Sequence, residues 1–166
     1  MSAIDHALRR AVRGIVIALI LGLGTVALGV VTATSTGAAE TRAAMRSSTY
    51  EEKVQNAINL VRAEHGLRPL RFHACTDGTA ERWARRLAKS GRLYHQDPHG
   101  ILCKCGARYA GETLGMGAFS PAGLVQAWMD SPAHRPILLS KSARRIGVGT
   151  SLSGGQWVTA ANFTKL

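Results

Sequence analysis

Residues 146–163 read IGVGTSLSGGQWVTAANF, and their side chains alternate in character on both sides of Ser153-Gly154-Gly155. Alternation with a period of two is typical of strands that bury one face, and a glycine pair between two such runs indicates a hairpin. The sequence therefore predicts two strands, 146–152 and 156–163, that form a hairpin at the end of the chain.

Helical spacing of apolar residues precedes this hairpin. A capping-box pattern, in which Ser48 or Thr49 is followed three residues later by a glutamate, predicts a first helix that ends near Gly66. A second helix is predicted at about 77–90, where apolar side chains recur every three or four positions. Residues 92–111 show little periodicity and predict a long loop with at most a short strand.

Two Ser-Pro pairs predict the starts of further helices. Serine caps free amide groups, and proline is tolerated at the first helical position, so Ser120-Pro121 opens one helix. Ser131-Pro132 repeats the signal and predicts a short helix from 132 to about 139. Because the helices come first and the hairpin last, the pattern favours an α+β fold in layers.

The N-terminal segment carries an export signal. Residues 14–33 lack any charge and follow Arg9, Arg10 and Arg13, which is the pattern of a signal peptide, although twenty apolar residues can also span a bilayer. Both alternatives stay open, and in both the domain faces out of the cytoplasm. We expect a signal peptide or membrane anchor at 1–39, a linker at 40–47 and one domain at 48–166.

The net charge of +11 predicts a cationic surface that attracts anionic partners. The basic residues are scattered, and the sequence holds no zinc finger, RNA-binding sheet motif or basic helix repeat. We therefore expect no nucleic-acid partner.

The cysteines Cys75, Cys103 and Cys105 are consistent with an oxidising compartment. A disulfide between Cys75 and either Cys103 or Cys105 would leave one free thiol.

Three residues are candidates for chemistry: His95, Glu112 and His134. Two histidines and a glutamate could hold zinc or another divalent cation, with water as a fourth ligand. They could equally serve as acid and base without a metal, or form a structural hydrogen-bonded cluster. The sequence holds no His-Glu-x-x-His motif, no Gly-x-Ser-x-Gly elbow and no phosphate loop.

The order of motifs resembles the CAP superfamily of cysteine-rich secretory proteins, venom allergens, plant defence proteins and bacterial exported proteins. The resemblance extends from about Val54 to Phe163 and rests on six pieces in sequence: Asn56–Arg62 with Gly66–Leu70, Ala80–Ala84, Leu93-Tyr-His95-Gln, Ala110-Gly-Glu112-Thr-Leu114, Ala127-Trp-Met-Asp-Ser-Pro-Ala-His134-Arg135, and Ile146–Gly149 with the strand from Trp157.

The resemblance implies a three-layer α/β/α sandwich with a central antiparallel sheet. It also implies a cleft in which His95, Glu112 and His134 match three members of a two-histidine, two-glutamate tetrad that binds a divalent ion in some members. The second glutamate is replaced by Ser131, with Asp130 one position away. Thr113 replaces the asparagine of the Gly-Glu-Asn motif. We expect a secreted or membrane-anchored, non-enzymatic binding module for a lipid, cell-wall polymer or protein; the alternative is a metal-dependent hydrolase that uses the same cleft.

Overall fold

The structure is a computed structural model that describes residues 35–166. Five helices lie in this part of the chain: α1 (Ser35–Glu64), α2 (Ala74–Ser90), α3 (Pro98–Cys105), α4 (Pro121–Asp130) and α5 (Arg135–Leu138). It also holds four strands: β1 (Arg71–Phe72), β2 (Tyr109–Gly117), β3 (Arg145–Ser153) and β4 (Gln156–Lys165).

The four strands form one sheet in the order β1-β3-β4-β2. The predicted hairpin is confirmed, because β3 and β4 pair antiparallel from Arg145↔Thr164 to Ser153↔Gln156. Strand β2 pairs antiparallel with the other side of β4. The two-residue β1 adds a parallel pairing with β3 at the edge, so the sheet is antiparallel apart from this short strand.

Helices cover both faces of the sheet and give the predicted three-layer α/β/α sandwich. On one face, side chains of α1, α4 and α5 form a core with Ile146, Val148 and Phe163. On the other face, Ala80, Ala84 and Leu87 of α2 pack against residues of β2 and β4. The α+β prediction is confirmed, because helices pack on both faces of a mainly antiparallel sheet. Alternate residues of β4 reach the two opposite layers.

Two glycines of β3 bring α2 close to the sheet. A Cβ atom at Gly147 would overlap the backbone of Asp77, and one at Gly149 would overlap the backbone of Glu81. The helix backbone therefore lies where side chains would otherwise stand, as glycine permits. This close approach allows side chains of α2 to form hydrogen bonds with the strands beneath them.

A buried arginine joins the end of α1 to α5. The Arg62 side chain is 1% exposed and donates to three carbonyl oxygens, those of Arg68 (3.1 Å), Leu138 (2.6 Å) and Ser140 (3.1 Å). Burial lowers the pKa of this guanidinium, and the charge of Arg144 lowers it further. Arg62 thereby holds α5 against the end of α1.

Several predicted boundaries are wrong. The first helix begins at Ser35 and not at Ser48 or Thr49, so residues 40–47 are helical and the capping-box prediction fails. The segment 92–111, predicted as a long loop with at most a short strand, contains the helix α3 before the start of β2. Helix α2 begins three residues earlier than predicted, with His73 as its cap, and α5 covers only Arg135–Leu138.

The predicted signal or anchor at 14–33 lies outside the described residues. Within residues 35–166, no helix is apolar over enough length to cross a membrane. The division into a segment at 1–39, a linker at 40–47 and a domain at 48–166 stays a prediction.

Candidate functional site

The loop between α2 and α3 carries the first candidate residue, His95. Its conformation is held by Trp83 of α2, whose indole Nε1 donates to the carbonyl oxygen of Tyr94 at 3.0 Å. The rings of Trp83 and Tyr94 meet edge to face, with their centroids 5.2 Å apart. At the far end of the loop, Asp97 caps α3 by accepting from the main-chain nitrogen of His99. His95 is therefore placed by contacts on both sides.

Glu112 of β2 is in direct contact with this loop. Its side chain is 7% exposed, and its Oε1 lies 2.6 Å from Nδ1 of His95. The Gln96 main-chain nitrogen donates to the same oxygen at 3.2 Å, and the Gln96 side-chain amide donates to Oε2. Three donors thus satisfy this buried carboxylate, which would otherwise be costly to remove from water.

A chain of polar side chains extends from Glu112 across one face of the sheet to α2. The Gln96 amide also reaches Oδ1 of Asn162 at 3.3 Å, and Nδ2 of Asn162 donates to Oγ1 of Thr79 at 2.9 Å. Asn162 is the β4 residue paired with Glu112, and it is fully buried. Gln96, Asn162 and Thr79 were not predicted as site residues, and the position of Gln96 directly after His95 is the one sequence signal for any of them.

His134 lies at the N-terminal end of α5, on the other side of the site. Its Nδ1 is 2.9 Å from Oγ of Ser131, the residue that stands in place of the second glutamate. Burial lowers the pKa of His134, and the charge of His95 lowers it further. The two histidines are therefore within electrostatic reach, and among the described contacts His134 bonds to neither His95 nor Glu112.

A cavity of about 210 Å³ opens beside the His95–Glu112 pair. Its remaining lining is mostly apolar and comes from α3, β2 and the loop before α3: Gln96, Pro98, Ile101, Ala110 and Gly111. The His95 side chain is 60% exposed. Because Nδ1 contacts Glu112, Nε2 is the ring nitrogen left for another hydrogen-bond partner.

The described residues do not fit a metal ion as arranged. Within residues 35–166, no three His, Cys, Asp or Glu side chains converge as a metal-binding group. Both oxygens of Glu112 accept hydrogen bonds, and Nδ1 of each candidate histidine already has a partner. The arrangement of these side chains in residues 35–166 therefore does not support zinc-dependent chemistry.

The disulfide joins Cys75, at the start of α2, to Cys105, at the end of α3. The predicted long-range bond is confirmed, and the partner left open by the sequence is Cys105. Cys103 is free and exposed, with its Sγ 3.3 Å from Nδ1 of His99. The crosslink ties the helix after the His95 loop to the helix before it.

The three-layer sandwich and the His95–Glu112 pair are the features by which this chain is compared with known protein families. The model of the CAP family, the cysteine-rich secretory proteins, matches residues 55–164. The chain belongs to this family.

A bacterial relative extends the comparison. The uncharacterized protein YkwD of Bacillus subtilis (strain 168) is 32% identical over 117 residues, which cover 66% of this chain and 46% of YkwD. The chain thus spans less than half the length of this relative.

Solved structures show the same fold. An extracellular protein with an SCP domain from Bacillus anthracis str. Ames superposes with a TM-score of 0.68 at 19% identity, covering 76% of this chain and 43% of that one. An outer surface protein of Borrelia burgdorferi superposes with a TM-score of 0.61 at 19% identity, covering 67% of this chain and 88% of that one.

Proposed function

We propose that this protein is an extracytoplasmic, non-enzymatic binding module whose ligand contacts His95 and the cavity beside it. The observation that carries the proposal is that both oxygens of Glu112 already accept hydrogen bonds from His95 and Gln96. A general base needs an oxygen within hydrogen-bond reach of the proton that it removes. A buried carboxylate whose oxygens already accept from His95 and Gln96 instead serves to orient the imidazole.

The shape of the site favours a ligand with an apolar body and one polar group. Pro98, Ile101 and Ala110 supply an apolar lining, and Nε2 of His95 supplies one hydrogen-bonding atom at its rim. Small-molecule sites typically combine an apolar lining with a few placed polar groups. Among the three classes that the sequence predicts, a lipid fits this lining better than a wall polymer or a protein.

Three observations support placement outside the cytoplasm. The positively flanked apolar run at 14–33 has the sequence pattern of an export signal, and the disulfide is typical of a protein in an oxidising compartment. Two structural neighbours are described as an extracellular protein and an outer surface protein. Protease added to intact cells should cleave residues 35–166, and the N-terminal residue of the mature chain would distinguish a cleaved signal from an anchor.

The binding proposal is tested with a photoreactive fatty acid added to the full chain in nanodiscs of neutral lipid. Crosslinks mapped by mass spectrometry should fall in the peptide that contains residues 95–112. His95→Ala should reduce them, while His65→Ala, at the exposed end of α1, should not. Equal labelling of both variants would refute the proposal.

The same variants distinguish lipid binding from the alternative roles of the site. A large fall in melting temperature for His95→Ala with unchanged crosslinking would assign the cluster a purely structural role. Saturable binding of zinc in calorimetry, tighter than about 1 mM and lost in His95→Ala, would favour the metal-dependent hydrolase. Crosslinking replaced by retention on cell-wall fragments would identify a wall polymer as the ligand.

A further inference from the structure

A second cavity, of about 330 Å³, lies between α2 and α3 on the other side of Gln96. Three cationic side chains line it: Arg82 and Arg86 from α2, and Lys104 from α3. The rest of the lining consists of Thr79, Trp83, Gln96, Asp97 and Gly100.

Within residues 35–166, no ion pair joins these three cations to an acidic side chain. The ion pairs found there join Arg85 to Glu81 and His95 to Glu112. Asp97 is the one carboxylate in the lining, and its Oδ1 accepts from the main-chain nitrogen of His99. Three positive charges against one negative charge leave the cavity with a formal excess of two positive charges.

The positions of the cations are set by rigid elements. Arg82 and Arg86 are four residues apart on α2 and therefore project from the same face of the helix. The guanidinium of Arg86 lies over the ring of Trp83, 5.4 Å from its centroid. The Cys75–Cys105 disulfide links α2 to the end of α3 one residue beyond Lys104. All three cationic side chains are exposed to solvent and line the same cavity.

We infer that this cavity binds a phosphate group carried on an organic molecule. Two guanidinium groups present paired N–H donors that match the oxygens of a phosphate, and a lysine adds a point charge. The volume exceeds what a phosphate alone would fill, so the cavity has room for an organic group attached to the phosphate. The inference is independent of the proposed function, because it concerns a different cavity that shares only Gln96 with the first.

Calorimetry on the full chain in a neutral detergent tests the inference at an ionic strength of about 0.05 M, where charge screening is weak. The probes are inorganic phosphate, glycerol 3-phosphate and a short-chain phosphatidylglycerol. We expect saturable binding of glycerol 3-phosphate with a Kd of about 1 mM or tighter. Equal affinity for all three probes would mean that the organic group adds nothing, which would contradict that part of the inference, and tighter binding of the phospholipid would identify a lipid headgroup.

Neighbouring positions provide matched variants. Arg82→Gln and Arg86→Gln should each weaken binding about tenfold, as expected for the loss of one charge-assisted hydrogen bond. Arg85→Gln removes the same charge from the same helix outside the cavity and should leave the Kd nearly unchanged. Circular dichroism of each variant verifies folding.

Two results would overturn the inference. One is the absence of saturable binding of any probe tighter than about 10 mM. The other is an equal loss of affinity in Arg85→Gln and Arg86→Gln, which would mean that the net charge of α2, and not the cavity, attracts phosphate.

Discussion

Asp77 is a half-buried carboxyl group in the first turn of α2, and its environment disfavours the charged form. Removal from water raises its pKa to about 6, and the nearby carboxylates of Glu81 and Glu51 add to the rise. The main-chain nitrogen of Val148, which donates to its Oδ1 at 3.0 Å, acts in the opposite direction. Asp77→Asn keeps an oxygen that can accept this hydrogen bond and removes the charge.

The sign of the effect follows from proton linkage. The folded state holds the Asp77 proton more tightly than the unfolded state, whose pKa is near 3.8. The stability that this group contributes is therefore fully present below about pH 4 and is lost as the pH rises through about 6. The difference between a pKa of about 6 in the folded state and 3.8 in the unfolded state corresponds to about 3 kcal/mol in the free energy of unfolding. Because the carboxyl is half exposed and screened by water, we discount this to about 1 kcal/mol.

Urea denaturation of the full chain in a neutral detergent checks this expectation between pH 4 and pH 8. Asp77→Asn should be more stable than the parent protein by about 1 kcal/mol at pH 7, and the difference should vanish towards pH 4. Asp130→Asn, at the exposed end of α4, controls for the change in net charge. A difference in the free energy of unfolding that does not vary with pH, or a loss of stability at pH 7, would refute the reasoning.

Three further changes test the packing. Gly149→Ala should lower the free energy of unfolding by about 2 kcal/mol or more, because its Cβ would overlap the backbone of α2; unchanged urea denaturation would contradict the close approach. Arg62→Met leaves three carbonyl oxygens without their donor and should cost about 3 kcal/mol, measured by thermal melting. Cys75→Ser opens a loop across a sequence separation of 30 and should cost about 3–4 kcal/mol. In the parent protein without reductant, a maleimide should label Cys103 alone; labelling of a second cysteine would contradict the disulfide.

Elements with local signals were predictable from the sequence. Ser120 caps α4 as predicted, and its Oγ accepts from the main-chain nitrogen of Gly123 at 3.1 Å. The hairpin strands differ from their predicted bounds by two residues or fewer. Helix α3 was missed because residues 92–111 show little apolar periodicity, although Asp97-Pro98 is itself a helix-start signal.

The wrong start of α1 has a tertiary cause. Glu51 looks like a capping-box residue, but its Oε1 accepts from the main-chain nitrogen of Thr150 at 2.7 Å and from the Thr150 hydroxyl at 2.9 Å. The hydroxyl of Ser47 also contacts Thr150. The glutamate that resembles a capping-box residue in the sequence thus binds strand β3, about 100 residues later, and local patterns carry no information about such a contact.

The candidate site was predictable in part. The motifs single out His95 and Glu112, and in the structure Nδ1 of His95 lies 2.6 Å from Oε1 of Glu112. The role of Asn162 depends on the register that pairs it with Glu112, across 50 residues of sequence. Such pairing is fixed by the packing of both sheet faces and cannot be derived from either segment alone.

Gln96 holds Glu112 with both its main chain and its side chain. The loop at 92–97 therefore cannot move away from β2 without leaving a buried carboxylate without partners, which is costly. Loop and sheet edge then open together as one cooperative unit. The amide hydrogen of Gln96 should exchange with solvent as slowly as those of β2, although Leu93 and Tyr94 beside it are exposed. One surface loop thus shares the local stability of the core.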